Sequence, residues 1–245
     1  VEGRIPRLGY DVRLQSFFTR VQYNYKGKYI FSGVLRRDGS SVFGPENRFG
    51  YFPSASIGWL ASEENFTENL DFLDLLKVRA SYGVIGNDRI AANRFLSLLD
   101  GEGAYVFGNT IFTGLAIGPV ANPEIRWEKQ KPFDVGIDIG IFNKIDITAD
   151  YYYKKTEDLL VNPETSQLLG VTAPGSLLPL VNAGDVENQG FEFSISYKDK
   201  IGEDFNFNVN YNLATLQNKV LFVGSDTGVL FAGSFGVGQE NDISR

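Results

Sequence analysis

Apolar and polar side chains alternate along much of this chain. Phe133, Val135, Ile137, Ile139 and Ile141 are separated by Asp134, Gly136, Asp138 and Gly140. Ile145, Ile147, Ala149, Tyr151 and Tyr153 alternate with Asp146, Thr148, Asp150 and Tyr152. Phe205, Phe207, Val209, Tyr211 and Leu213 alternate with four asparagines, Asn206, Asn208, Asn210 and Asn212. A period of two puts one set on each face of an extended strand, whereas a helix would need spacings of three and four. Eight such segments are predicted, near 14–25, 29–37, 51–61, 75–85, 127–141, 145–157, 188–198 and 204–217.

The connections alternate in length. Lys26-Gly27-Lys28, the stretch 62–74, Phe142-Asn143-Lys144 and 199–203 are short. Those near 38–50, 86–126 and 158–187 are longer. Short turns at one end and long loops at the other are the pattern of a transmembrane meander. Parity supports it. Tyr25 and Tyr29 can pair across a three-residue turn with the same face outward, and so can Ile141 and Ile145. Gly27 and Asn143 then fall mid-turn, where a positive φ is needed. Tyr23, Tyr25, Tyr29 and Phe31 flank the first turn, and Tyr197 and Phe205 the last, as an interfacial girdle would.

Composition narrows the chemistry. The chain has no His and no Cys, which excludes disulfides, thiol catalysis, a Ser-His-Asp triad and His- or Cys-based metal centres. A net charge of −7 argues against a nucleic-acid partner. No apolar run approaches the ~20 residues of a membrane helix. Phe, Tyr and Gly are abundant (20, 12 and 27), and no Met is present, so the chain reads as a piece of a longer protein. A soluble β-sandwich, secreted or surface-attached as a binding module or adhesin, is the alternative on periodicity alone. Against it, the polar face carries Asn, Ser, Thr, Gly and Asp rather than Lys and Glu. The apolar face is also uncharged over about ten residues, the length a tilted strand needs to cross a bilayer.

Several stretches carry a family resemblance. They are Arg20–Tyr29 with Leu35-Arg36-Arg37-Asp38-Gly39-Ser40-Ser41, then Gly50–Trp59, then Leu76–Asn87. Asn122-Pro123-Glu124 with Trp127-Glu128-Lys129 follows, then Tyr151–Thr156 with Asp158-Leu159-Leu160, and Asn182-Ala183-Gly184 with Glu187–Glu192. In order and spacing the chain resembles the SusC/RagA family of TonB-dependent outer-membrane transporters of Bacteroidota. That resemblance implies an all-β fold, an antiparallel transmembrane barrel of which about eight strands lie here out of 22. Residues 1–245 would be a partial barrel domain, with the plug, the TonB-contacting segment and the C-terminal strands absent. It further implies import of oligosaccharides or peptides across a Gram-negative outer membrane. A SusD-like surface lipoprotein would be the partner, and TonB-ExbB-ExbD would energise the cycle through the plug region. Outer-membrane lipid would surround the wall. No catalytic, cofactor or metal residue is expected, and ligand-binding residues are not legible. Cut from its barrel, such a piece has two open edges and is expected to aggregate.

Other motifs have plain readings. Arg36–Ser41 reads as a strand end entering a loop, with Asp38-Gly39 as turn chemistry. Asp134, Asp138, Asp146 and Asp150 share the polar face. A glycosidase needs two carboxylates about 5–9.5 Å apart, whereas Asp134 and Asp138 are about 13 Å apart along a strand. With Ile141 opposite Ile145, Asp138 faces Thr148 and Asp150 faces Gly136, a staggered arrangement suited to lumen polarity and to contact with plug cations. A barrel enzyme, the third hypothesis, lacks the His it would use. Gly233, Gly236 and Gly238 lack the strand-to-helix context of a phosphate loop. Asn65-Phe66-Thr67 matches a glycosylation sequon without meaning in a bacterial barrel. Glu63-Glu64 and Asp71/Asp74 read as caps of a short helical turn. Tyr105, Phe107 and Phe112, in the longest loop, suit stacking on a ligand or loop self-packing equally.

Overall fold

The structure, a computed structural model, describes residues 11–97, 101–116, 120–161, 179–202 and 204–223. Its strands are β1 (Leu14–Tyr25), β2 (Tyr29–Ser40), β3 (Phe49–Leu60), β4 (Leu73–Gly83), β5 (Ile85–Asn87), β6 (Gly101–Phe107) and β7 (Thr110–Ala116). They continue with β8 (Glu128–Ile141), β9 (Ile145–Glu157), β10 (Leu160–Val161), β11 (Val181–Asn182), β12 (Gly184–Ile201), β13 (Phe205–Ala214) and β14 (Gln217–Val223). Among the described residues the helical structure is one 3-10 turn, Ala61–Glu63.

Ten strands make one antiparallel sheet in the order β1-β2-β3-β4-β8-β9-β12-β13. β5 continues the line of β4 along β8, and β14 continues β13 along β12. The sheet is therefore a meander of eight long staves, the eight predicted from alternation. The predicted ends differ. β2 runs on to Ser40, so Asp38 and Gly39 pair with Gly50 and Phe49 inside the strand and form no turn. The last stave reaches Val223 after an irregularity at Thr215, whose backbone N–H donates to Phe191 O while its Oγ1 accepts from Phe191 N. The hairpin β6-β7, in the long loop, was not predicted and, among the described residues, pairs only with itself.

Both predicted tight turns are present. Tyr25 pairs with Tyr29 and Ile141 with Ile145. Lys26 and Gly27 have φ of 56° and 72°, and Phe142 and Asn143 have 55° and 53°. With Lys28 N donating to Tyr25 O and Lys144 N to Ile141 O, these are the primed turns whose twist matches a β-hairpin.

Register carries the barrel geometry. Straight across the sheet, Tyr29 leads through Trp59, Val78, Ile137, Ala149 and Phe193 to Leu213. Tyr29 adjoins its turn, whereas Leu213 stands eight residues beyond Phe205, where β13 leaves its own turn. The turns thus slip by eight residues over six strand-to-strand steps. At about 3.3 Å per residue and about 4.8 Å between strands, turns lying in one plane require a tilt of about 40°, inside the range of closed barrels.

One face is apolar across the middle of the sheet. It holds Tyr23, Phe31, Ile57, Ala80, Val135, Tyr151 and Phe191 in one cross-strand row. No second sheet covers it among the described residues, and Ile57 and Val209 are each 60% exposed. A sandwich would have buried this face, and a soluble protein does not leave so large an apolar patch open. Aromatic residues stand at the short-turn edge (Tyr25, Tyr29, Trp59). They return eight positions along their strands at Phe17, Tyr51, Phe133 and Tyr153. At the tilt above, the two girdles are about 20 Å apart, close to the apolar band of an outer-membrane barrel.

Candidate functional site: the polar face and the loop end

The polar face presents Gln22, Ser32, Ser54, Ser56, Lys77, Arg79, Ser81 and the four aspartates foreseen there. The predicted register holds, with Asp138 opposite Thr148 and Asp150 opposite Gly136. Three of the aspartates have cations of the wall as partners. Arg79 donates from Nε to Asp138 Oδ2 at 3.2 Å and from Nη2 to Asp150 Oδ2 at 2.7 Å. Thr148 Oγ1 donates to Asp138 at 3.3 Å, Ser81 Oγ to Asp134 at 3.4 Å, and Lys198 Nζ to Asp146 at 3.0 Å. Asp138, Asp146 and Asp150 thus meet cations of the wall itself, while Asp134 meets only a hydroxyl.

Gly136 makes the central pair fit. Arg79, Gly136 and Asp150 occupy one cross-strand row. The guanidinium and the carboxylate meet over β8 because Gly136 has no side chain. A Cβ there would overlap Asp150 Oδ1 and lie 2.9 Å from Arg79 Cζ. Arg79 was visible in the sequence only as a polar-face residue. Its partners lie across a loop of forty residues, so alternation could not supply the register between β4 and β8.

At the short-turn end, Glu64 is a clamp and not the predicted helix cap. It accepts hydrogen bonds from Tyr29 Oη at 2.7 Å, Trp59 Nε1 at 3.3 Å and Lys28 Nζ at 3.3 Å. These donors, the Tyr29 hydroxyl foremost, hold its carboxyl below the usual glutamate range. Asp74 likewise accepts from the Asn143 backbone N–H of the next turn. Glu64 ties the girdle to the connection 61–72, and Asp74, at the start of β4, holds the turn 142–144. Thr67 of the sequon is buried, its Oγ1 donating to Glu64 O at 2.7 Å.

The loop end holds the one apolar core cluster found among the described residues. Val42, Phe43, Phe52, Ile125 and Trp127 are buried together, with Val84, Ile90, Phe95, Leu160 and Leu180 packed around them. Phe52 is on the polar face of β3, so loops 41–48 and 120–127 fold back over that face. Trp127 packs at a tilt against Phe43 with centroids 4.9 Å apart and meets Phe52 edge-on at 5.2 Å.

Asparagines stitch the loops together. Asn122 Nδ2 donates to Leu180 O at 2.8 Å, and its Oδ1 accepts from Glu124 N. Asn182 Oδ1 accepts from Arg126 N at 3.0 Å, while its Nδ2 donates to Arg126 O at 2.9 Å and Asp158 O at 2.8 Å. Arg126 also pairs with Asp158 at 2.6 Å, which raises the pKa of its guanidinium. The stretches Asn122-Pro123-Glu124 and Asn182-Ala183-Gly184 therefore lock the loop end. Tyr105 stands opposite Phe112 on the hairpin, and Tyr105, Phe107 and Phe112 are all exposed. Gly233, Gly236 and Gly238 lie outside the described residues.

This staggered wall, polar inside and apolar outside, can line a wide aqueous passage. Comparison with known proteins agrees. Residues 3–240 match the model of the TonB dependent receptor-like β-barrel family. TonB-dependent receptor P3 of Formosa agariphila is 36% identical over 212 residues, covering 86% of this chain and 21% of the relative. TonB-dependent receptor SusC of Bacteroides thetaiotaomicron is 35% identical over 213 residues, covering 84% and 21%. This chain thus spans about a fifth of the length of the curated relatives it matches. Among solved structures, the RagAB peptide transporter superposes with a TM-score of 0.77 at 25% identity, over 89% of this chain and 23% of that one. The FrpB iron transporter from Neisseria meningitidis, at 14% identity and a TM-score of 0.54 over 90% of this chain and 28% of that one, shares the fold alone.

Proposed function

Since the chain belongs to the TonB-dependent receptor-like β-barrel family, we propose that it is a wall segment of an outer-membrane active importer of oligosaccharides or peptides. It supplies barrel wall, lumen lining and extracellular loops to a transporter, not an enzyme. The observation that carries this is the pairing of an uncharged apolar face, about 20 Å between aromatic girdles, with a polar face rich in Ser, Thr and Asp, on which Asp138, Asp146 and Asp150 meet cations of the wall. Relatives in Formosa and Bacteroides support a Gram-negative, Bacteroidota-like outer membrane as its place. In the same reading residues 1–245 are part of a larger barrel that encloses a plug. TonB-ExbB-ExbD energises import through that plug, and a SusD-like lipoprotein covers the loop end. The likeness to the RagAB peptide transporter favours peptides as much as glycans.

The test uses the full-length receptor in its own cells. Deleting its gene should abolish uptake of one labelled class, oligosaccharide or peptide, and a protonophore should do the same to the wild type. Uptake of both classes unchanged by the deletion would overturn the proposal.

A further inference from the structure

The strand end Arg36–Ser41 and its neighbours on β3 remain unused by the transport reading, and they form a built corner on the apolar face. Arg37 lies eight residues along β2 from Tyr29, level with the outer girdle, and pairs across the sheet with Phe17 and Tyr51. Its guanidinium carbon sits 4.0 Å from the centroid of the Phe49 ring and 5.8 Å from that of Tyr51. Gly39 makes this possible. A Cβ at Gly39 would lie 2.5 Å from the Phe49 ring, so the ring lies flat over β2 only because that side chain is missing.

Among the described residues no carboxylate pairs with Arg37. The nearest carboxylate in sequence, Asp38, points to the opposite face and pairs with Arg36 at 2.6 Å. Asp11, six residues before Phe17, is taken by Arg13 at 2.8 Å. Arg37 Nε is enclosed and has no acceptor among the described residues. Approach from outside therefore falls to its two Nη groups, and a guanidinium held by aromatic rings at the edge of an apolar band is poorly placed for bulk water.

We propose that Arg37, seated on Phe49 and Tyr51, binds the phosphate of an outer-leaflet lipid headgroup. The planar fork of Arg suits phosphate, and the surrounding rings suit the adjoining acyl region. This rests on the reading that the apolar face meets lipid with the long loops outside.

The test is native mass spectrometry of the detergent-purified full-length receptor, titrated with lipid A and with the same lipid A enzymatically dephosphorylated. Variants are first checked for barrel integrity by heat-modifiable gel migration. Wild type should retain phosphorylated lipid at least fivefold better than Arg37→Gln, with Arg37→Lys between them. Gly39→Ala, which displaces the Phe49 ring, should weaken retention too. Dephosphorylated lipid should not distinguish wild type from Arg37→Gln. Equal retention of phosphorylated lipid by intact wild type and Arg37→Gln would overturn the proposal. So would displacement of the lipid by millimolar inorganic phosphate, which would mark a free-anion site. Solubility of the receptor without detergent would instead defeat the membrane reading beneath it.

Discussion

Replacing Asn182 by Ala removes three hydrogen bonds at once, those to Arg126 N, Arg126 O and Asp158 O. A protein hydrogen bond contributes about 0.5–1.5 kcal/mol net, so the three sum to about 1.5–4.5 kcal/mol. The two bonds to Arg126 are exposed, and water replaces them in part. The expected loss is therefore near the lower end, about 2 kcal/mol. That energy holds loop 120–127 against the 158–183 connection and is charged to local opening, not to global unfolding. At 1.4 kcal/mol per tenfold, the open fraction should rise about thirtyfold. Trypsin reports it directly. The Arg126–Trp127 bond is locked by Asn182 and by burial of Trp127, so cleavage there requires opening. With opening fast relative to cleavage, the rate follows the open population. In the full-length receptor, Asn182→Ala should be cut at Arg126 about thirty times faster than wild type. Cleavage after Lys28, at the other end of the sheet, should be unchanged. Asn182→Asp keeps the acceptor but sets a carboxylate against two carbonyl oxygens, so it should not restore protection. A rate at Arg126 within threefold of wild type would refute the assignment of Asn182 as the lock.

Gly136→Ala should force Asp150 off Arg79 and cost about 1–3 kcal/mol in folding into lipid vesicles, measured by urea titration; a neutral result would show that the pair does not need the gap. Ile137→Arg, on the apolar face midway between girdles, should cost about 2–4 kcal/mol in the same assay, whereas a loss below 0.5 kcal/mol would place that residue outside the hydrocarbon. The clamp at Glu64 should titrate. Because its folded-state pKa is depressed, its contribution is complete above the unfolded-state value and disappears as pH falls through the folded-state one. The melting difference between wild type and Glu64→Gln should thus be present at pH 7, begin to shrink near the unperturbed glutamate pKa of about 4.3, and vanish only below the depressed folded-state value. A difference that persists unchanged at pH 3 would remove Glu64 from the account.

The strands were legible because each stave reports itself. Alternation in 133–141 and 145–153 fixed the faces, and Gly27 and Asn143 fixed two turns, hence the register of two hairpins. Register across the long loops was not legible, and the site depends on it. Arg79 meets Asp138 and Asp150 only once β4 is set beside β8, and nothing local in either segment specifies that offset. Asp38-Gly39 misled because the pair usually makes turns. Here Gly39 serves to admit the Phe49 ring, a requirement set by a residue ten positions away on another strand. Glu64 misled for a related reason. An acid near a 3-10 turn reads as a cap, but its donors come from Tyr29 and Trp59, which fold back beside it. The asparagine motifs stood out in the sequence, yet their function depends on two long connections meeting in space.

The central claim is that the odd-numbered positions of β9 face lipid and the even-numbered ones face a water-filled lumen. With no native cysteine in this chain, single cysteines at each position from Ile147 to Tyr152 of the full-length receptor, taken in a background free of other cysteines, can carry a fluorophore in lipid vesicles. Nitroxide-labelled acyl chains should quench positions 147, 149 and 151 strongly, while a water-soluble quencher should reach 148, 150 and 152 instead. A profile without a period of two, or one with the two quenchers exchanged, would contradict the barrel wall described above.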